Sequence, residues 1–93
     1  MTIRRVHVVV TGDVQGVGFR WFTRERAQGL SISGWVRNTP DGSVEILAEG
    51  DSAAVQSLLD IVKRGPSRSR VSALQIRDAT SEEDLPSPFE IRR

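Results

Sequence analysis

The chain has 93 residues, of which 38% are hydrophobic and 27% are charged, and its formal net charge at pH 7 is +1. This length predicts a single domain over residues 1–93 with one modest core, and the near-neutral charge argues against a nucleic acid or a membrane as the partner. The absence of cysteine excludes disulfides and thiolate catalysis, and the N-terminal apolar stretch is too short for a signal peptide or a membrane span. We therefore expect a cytoplasmic monomer that acts on a small molecule.

The first strand and the loop after it hold the most informative motif. Residues 6–11 alternate a valine face with a mixed face, which predicts a strand ending at Gly12. Residues 12–20 then read Gly-Asp-Val-Gln-Gly-Val-Gly-Phe-Arg. Glycine lets backbone amides turn toward a ligand, a helix start supplies further unpaired amides, and Arg20 adds a permanent charge suited to phosphate oxygens. A glycine-rich turn without a ligand is the alternative, but it leaves the following helix without a Ser, Thr, Asp or Asn cap.

The rest of the chain carries two helical patterns and further strand patterns. In chain order these are a helix over residues 20–30, a strand over 32–38, a turn at 39–42, a strand over 43–49, a helix between 51 and 65, a strand over 71–77 and a short strand at 89–91. The apolar phase changes between Ala73 and Leu74, which predicts a β-bulge. The βαββαβ order indicates an α+β ferredoxin-like sandwich, with both helices on one face of an antiparallel sheet.

This topology brings the loop close to Asn38. The first and second strands run parallel with the third between them, so their C-terminal ends lie at one edge, about 10 Å apart at the usual strand spacing. The glycine loop leaves the first strand, and Asn38 ends the second. Asn38 alone is typical of a turn residue, but its place beside the glycine loop makes it a candidate member of the same site.

The pattern Gly-x-Val-Gln-Gly-Val-x-Phe-Arg resembles the acylphosphatases. The resemblance continues through Gly-Trp-Val-Arg-Asn at residues 34–38, Asp-Gly-Ser-Val at 41–44 and Gly50 to the closing Phe-Glu-Ile at 89–91. It implies hydrolysis of an acyl phosphate to a carboxylate and inorganic phosphate without a metal or another cofactor, with inorganic phosphate as product and inhibitor. It also implies that Asn38 positions the attacking water and that the phosphate is bound by the Arg20 side chain and the backbone amides of Gln15, Gly16, Val17, Gly18, Phe19 and Arg20.

Three positions need separate expectations. Asp13 stands where the family commonly has a basic residue, and we expect its side chain to point away from the loop. The chain ends in Arg92-Arg93 instead of an aromatic residue, which we expect to alter only local packing. Trp21 fits two interpretations equally well, an edge of the site or a structural role.

Two other function classes can be compared with this one. A ferredoxin-like sheet also serves as an RNA-binding platform, but the predicted outward positions of the central strands, residues 7, 9, 11, 45, 47 and 49, carry no aromatic residue and two acids. A regulatory module that senses an anion without turnover stays open, although Asn38 argues against it. The acidic residues Glu82, Glu83 and Asp84 are predicted to form a solvated loop, not a metal site.

Overall fold

The structure is a computed structural model that describes residues 2–80 and 83–93. In chain order these residues form β1 (Ile3–Asp13), α1 (Phe19–Gly29), β2 (Ser33–Asn38), β3 (Val44–Asp51), α2 (Ser52–Arg64), β4 (Arg70–Asp78) and β5 (Glu90–Ile91). The strands form one sheet in the order β4-β1-β3-β2-β5. The predicted α+β ferredoxin-like fold is therefore confirmed, and β1 and β2 lie on either side of β3 as expected.

One face of the sheet packs on both helices. Alternate valines of β1, at positions 6, 8 and 10, are fully buried there, as the strand pattern predicted. The apolar stripes of the helices cover them, so one core cluster joins the two layers. The buried helix residues are Phe19, Thr23 and Ala27 of α1 and Val55, Leu58, Leu59 and Val62 of α2.

A β-bulge is present between β1 and β4 as predicted, but it lies at Ser72, just before Ala73, and not between Ala73 and Leu74. Thr11 pairs with Ala73, but Gly12 pairs with Val71, so Ser72 is an extra residue on β4. Gly12 has a φ of 127°, and a Cβ built there would lie 2.2 Å from the carbonyl oxygen of Arg70. Only glycine fits this close approach. Because the pairing continues through the bulge, β1 ends at Asp13 and not at Gly12, which sets where the glycine loop begins.

The first four strands pair antiparallel as predicted, and the short fifth strand, whose direction was not predicted, makes the sheet mixed. The short strand at the C-terminus exists, but β5 pairs parallel with β2, with Val36 opposite Ile91. The amide of Arg92 donates to the carbonyl of Val36 at 2.8 Å. The connection from β4 spans the sheet from one edge to the other, and a two-residue strand carries no periodicity that indicates its direction. The parallel direction leads the end of the chain toward the Asn38 end of β2.

The acidic loop is only partly described. Glu82 lies outside the described residues, whereas Glu83 and Asp84 are exposed, as a solvated loop requires. Across residues 2–80 and 83–93, no group of three or more His, Cys, Asp or Glu side chains is placed to hold a metal ion. Neither helix formed by these residues is long and apolar enough to cross a membrane.

Candidate active site

The glycine loop is held at both ends by buried side chains. Val14 is 1% exposed and Phe19 is 2% exposed, so both side chains belong to the core. Between them, Gly16 and Gly18 have φ values of 76° and 78°, and a Cβ at either position would meet no atom within 4 Å. The left-handed backbone at alternate residues turns successive amide groups toward one side, which is the geometry of an anion-binding nest.

The amides of this loop have no hydrogen-bond partner among the residues that the structure describes. Within the residues that the structure describes, no amide from residue 15 to residue 21 donates to a backbone carbonyl, and the first such bond runs from Phe22 to Gly18 at 3.0 Å. The N-cap of α1, Gly18, provides no side-chain hydrogen bond, and no acidic residue occupies the first turn. Unpaired amides at a helix start are satisfied by water or by an anion, which the helix dipole also favours.

Arg20 and Asn38 share a cavity with this loop. The cavity has a volume of about 700 Å³, and both residues line it. Arg20 is half-buried and forms no ion pair with any residue in the described ranges, so its guanidinium is available to a ligand. The arrangement places several neutral donors, the positive charge of Arg20 and the neutral amide of Asn38 around a single space.

Asn38 is the last residue of β2 and is held in place by its backbone and the following turn. It pairs with Val44 of β3, and the amide of Thr39 donates to the carbonyl of Ser43 at 2.9 Å. The Asp41 carboxylate accepts hydrogen bonds from the Thr39 hydroxyl and the Ser43 amide, and these bonds lower the pKa of Asp41 below its usual value. The turn therefore has this support at neutral pH and loses it as the pH falls through the lowered pKa.

Gln15 links the loop to this turn. Its side-chain Nε2 donates to the carbonyl oxygens of Thr39 and Ser43, at 2.8 Å each. Both amide hydrogens are thus used inside the protein, and only the backbone amide of Gln15 remains for a ligand. The side chain connects the loop that would hold a phosphate to the turn that follows Asn38.

The cavity contains most of the predicted site residues. Gly16, Gly18, Phe19, Arg20 and Asn38 line it, and Phe19 contributes through its backbone because its ring is in the core. Gln15 and Val17 are absent from the lining, and the Val17 side chain packs against the core. Three lining residues were not predicted from the sequence: Val14, Ile91 and Arg93. Trp21, for which the sequence left two interpretations open, also lines the cavity.

Arg93 requires a correction. The basic C-terminus was expected to affect only local packing, but Arg93 lines the same cavity as Arg20 and Asn38. The parallel pairing of β5 explains this, because Val36 lies opposite Ile91 and two further residues bring the chain beside Asn38. No local signal in the sequence indicated this direction.

Asp13 lies where it was expected. It is exposed, it ends β1 opposite Arg70, and it is not part of the cavity wall described above. Its carboxylate therefore does not enter the lining that would receive an anion.

The opposite face of the sheet is occupied by charged side chains that contact one another. Glu45 accepts from His7 at 2.6 Å and also from Arg37. Burial would raise the pKa of Glu45, but the bonds to His7 and Arg37 outweigh it and lower the pKa. Trp35 has the guanidinium groups of Arg37 and Arg92 at 5.2 and 5.3 Å from its ring centre. These two cation–π contacts already engage the Trp35 ring, which further weakens the RNA-binding alternative.

Comparison with known proteins agrees with this geometry. The family model for acylphosphatase matches residues 6–91. The chain is 50% identical to an acylphosphatase of Chlorobaculum tepidum over 84% of this chain and 85% of that protein, and 47% identical to one of Salinibacter ruber over 99% and 96%. The crystal structure of acylphosphatase from Bacillus subtilis superposes with a TM-score of 0.91 at 39% identity, covering 99% of this chain and all of that one. The family model, the sequence relatives and the shared fold together show that the chain belongs to the acylphosphatase family.

Proposed function

We propose that the phosphoryl group of an acyl phosphate binds to the amides of residues 15–20 and to Arg20, and that a water molecule positioned by Asn38 attacks its phosphorus in line. The bond between phosphorus and the acyl oxygen breaks, and its electron pair leaves with the carboxylate. The products are a carboxylate and inorganic phosphate. The observation that carries this proposal is the run of unpaired amides in the same cavity as Arg20 and Asn38.

The loop suits the demands of phosphoryl transfer. Such a reaction asks a protein mainly to position the groups and to place donors around the phosphoryl oxygens, where charge is spread in the transition state. A carboxylate is already a good leaving group, so no strong general acid is needed. The single histidine of the chain, His7, is accordingly not required, and it lies on the opposite face of the sheet with Glu45.

Asn38 supplies what distinguishes an enzyme from a phosphate-binding module. Its side-chain carbonyl can accept from a water molecule while its amide nitrogen donates, and neither atom carries a charge that repels the dianionic substrate. No side-chain hydrogen bond of Asn38 to another described residue competes for these atoms. A site that only bound phosphate would gain nothing from such a group.

A direct assay tests the proposal. Purified protein treated with a chelator should hydrolyse benzoyl phosphate, and inorganic phosphate should inhibit it competitively because it binds the same amides. Protein that binds phosphate but does not hydrolyse acyl phosphates would instead be an anion-sensing module. Protein that does neither would contradict the assignment of the loop as a phosphate site.

The remaining expectations also belong to this proposal. We infer a monomer, because the cavity is completed by residues of one chain, and analytical ultracentrifugation measures this. We infer a cytoplasmic location from the lack of cysteine together with a metabolite-sized substrate.

Gln15→Ala should lower both stability and turnover. The substitution removes two hydrogen bonds to carbonyl groups and so should cost about 1–3 kcal/mol of unfolding free energy. It also removes the link between the loop and the turn after Asn38, so Asn38 is held less accurately. Small misplacements of reacting groups slow catalysis strongly. We expect kcat to fall about tenfold, measured together with urea unfolding of the same preparation.

Gln28→Ala is the matched control for this prediction. Gln28 also donates from Nε2 to a backbone carbonyl, that of Phe89, at 2.9 Å, but it lies near the other end of α1. Its loss should reduce stability without changing kcat. Equal kcat losses in the two variants would show that Gln15 acts only through general stability.

A further inference from the structure

Trp21 is an exposed aromatic residue in the wall of the cavity. It is 59% exposed, and it follows Arg20 directly in the first turn of α1. Burial in the core would have indicated a structural role, so the exposure of the ring together with its place in the cavity wall favours the other interpretation, an edge of the site. Leaving so much of a large aromatic surface in water forgoes free energy that burial would recover, which a bound ligand could do.

Phe22, the aromatic neighbour of Trp21 in the chain, has ring contacts that Trp21 does not have among the described residues. Phe22, the next residue, packs edge-to-face against Phe19 at 6.2 Å between ring centres and lies under the guanidinium of Arg26. Within residues 2–80 and 83–93, Trp21 makes no aromatic pair and no cation–π contact.

The position of Trp21 relative to the loop indicates which part of a substrate it would meet. A phosphoryl group held by Gly16, Gly18 and Arg20 is at the loop side of the cavity, and its acyl group must extend away from the amides. The acyl group leaves on the side of the phosphorus opposite the attacking water, away from Asn38 and from Ile91 and Arg93 beside it, so the apolar wall residue that can meet it is Trp21 of α1. An indole surface favours a flat apolar group over a methyl group.

We propose that Trp21 is a specificity-determining residue that packs against the acyl group and selects acyl phosphates with a planar apolar acyl group over small aliphatic ones. This inference rests on the proposed function, because it assumes that the phosphoryl group occupies the glycine loop. Trp21 contacts only the acyl part of the substrate, so it should not affect affinity for phosphate itself.

The kinetic test compares benzoyl phosphate with acetyl phosphate. Trp21→Ala should lower kcat/KM for benzoyl phosphate about tenfold, mainly through KM, and change kcat/KM for acetyl phosphate less than twofold. Trp21→Phe should restore most of the selectivity, and Ile76→Ala, which removes another exposed apolar side chain far from the cavity wall, should leave both values unchanged. Equal changes for the two substrates in Trp21→Ala would overturn the proposal.

A binding measurement separates this inference from the proposed function. Benzylphosphonate and methylphosphonate are stable analogues that require no turnover, and in a Trp35→Phe background Trp21 is the sole tryptophan. Benzylphosphonate should bind about tenfold more tightly than methylphosphonate and shift the Trp21 fluorescence, and Trp21→Ala should abolish the affinity difference. This pattern would support the inference even if neither acyl phosphate were hydrolysed. Equal affinities of the two phosphonates for the wild-type chain would overturn it even if hydrolysis were normal.

Discussion

Arg20→Ala should lose both phosphate binding and turnover. The guanidinium supplies the permanent charge among the predicted phosphate-binding residues 15–20, and it forms no ion pair with a described residue, so it is available to the phosphate. Charge-assisted hydrogen bonds are worth about 1.5–3 kcal/mol, so the Kd for inorganic phosphate should rise roughly 10- to 100-fold. Arginines that stabilise phosphoryl transfer contribute about 10³-fold or more to rate, and we expect a loss of that order in kcat/KM.

Two further variants make this result specific. Arg20→Lys keeps the charge but loses the planar fork that can contact two phosphate oxygens, so its activity should lie between those of the wild type and Arg20→Ala. Arg24→Ala removes another arginine of the same helix, one that pairs with Glu25 outside the cavity wall, and should leave kcat and phosphate affinity unchanged. Phosphate binding by Arg20→Ala at wild-type affinity would show that the amides alone form the anion site.

Asn38→Ala should separate binding from turnover. The amide is proposed to hold the attacking water and not the phosphoryl group, so the phosphate Kd should change by less than about threefold. Loss of a positioned group at a reacting centre costs about 10²- to 10³-fold in kcat, and we expect a decrease in that range. Isothermal titration with phosphate and steady-state kinetics on the same preparation measure both quantities.

Asn38→Asp tests whether the Asn38 side chain must be uncharged. The side chain keeps nearly the same shape, but its carboxylate repels the dianionic substrate, so phosphate affinity should fall as well as kcat. If Asn38→Ala lost phosphate affinity as severely as Arg20→Ala does, Asn38 would be a binding residue and not a water-positioning one.

The fold was predictable because its main elements have strong periodic patterns. The valines of β1 and the stripe of Val55, Leu58, Leu59 and Val62 in α2 each fit only one kind of element. The change of apolar phase after Ala73 was sufficient to predict the bulge. The direction of β5 was not predictable, since two strand residues after a long connection can pair either way.

The site was predictable where backbone chemistry dominates and unpredictable where long-range contacts decide. The glycines at positions 16 and 18 indicate an unusual backbone conformation. The location of Asn38 near the loop follows from the position of its strand in the sheet. The use of both Gln15 side-chain hydrogens depends on carbonyl groups 24 and 28 residues away, for which the local sequence carries no signal. Arg93 reaches the cavity only because β5 is parallel to β2.

The position of isotope in the products tests the attack on phosphorus most directly. Wild-type protein should be allowed to hydrolyse benzoyl phosphate in ¹⁸O-labelled water, and both products should be analysed by mass spectrometry after a single turnover. Water that attacks phosphorus, as the site of Arg20 and Asn38 requires, leaves one ¹⁸O atom in inorganic phosphate and none in benzoate. Label in benzoate instead of phosphate would mean that water attacks the acyl carbon, and it would contradict the roles proposed for the loop and for Asn38.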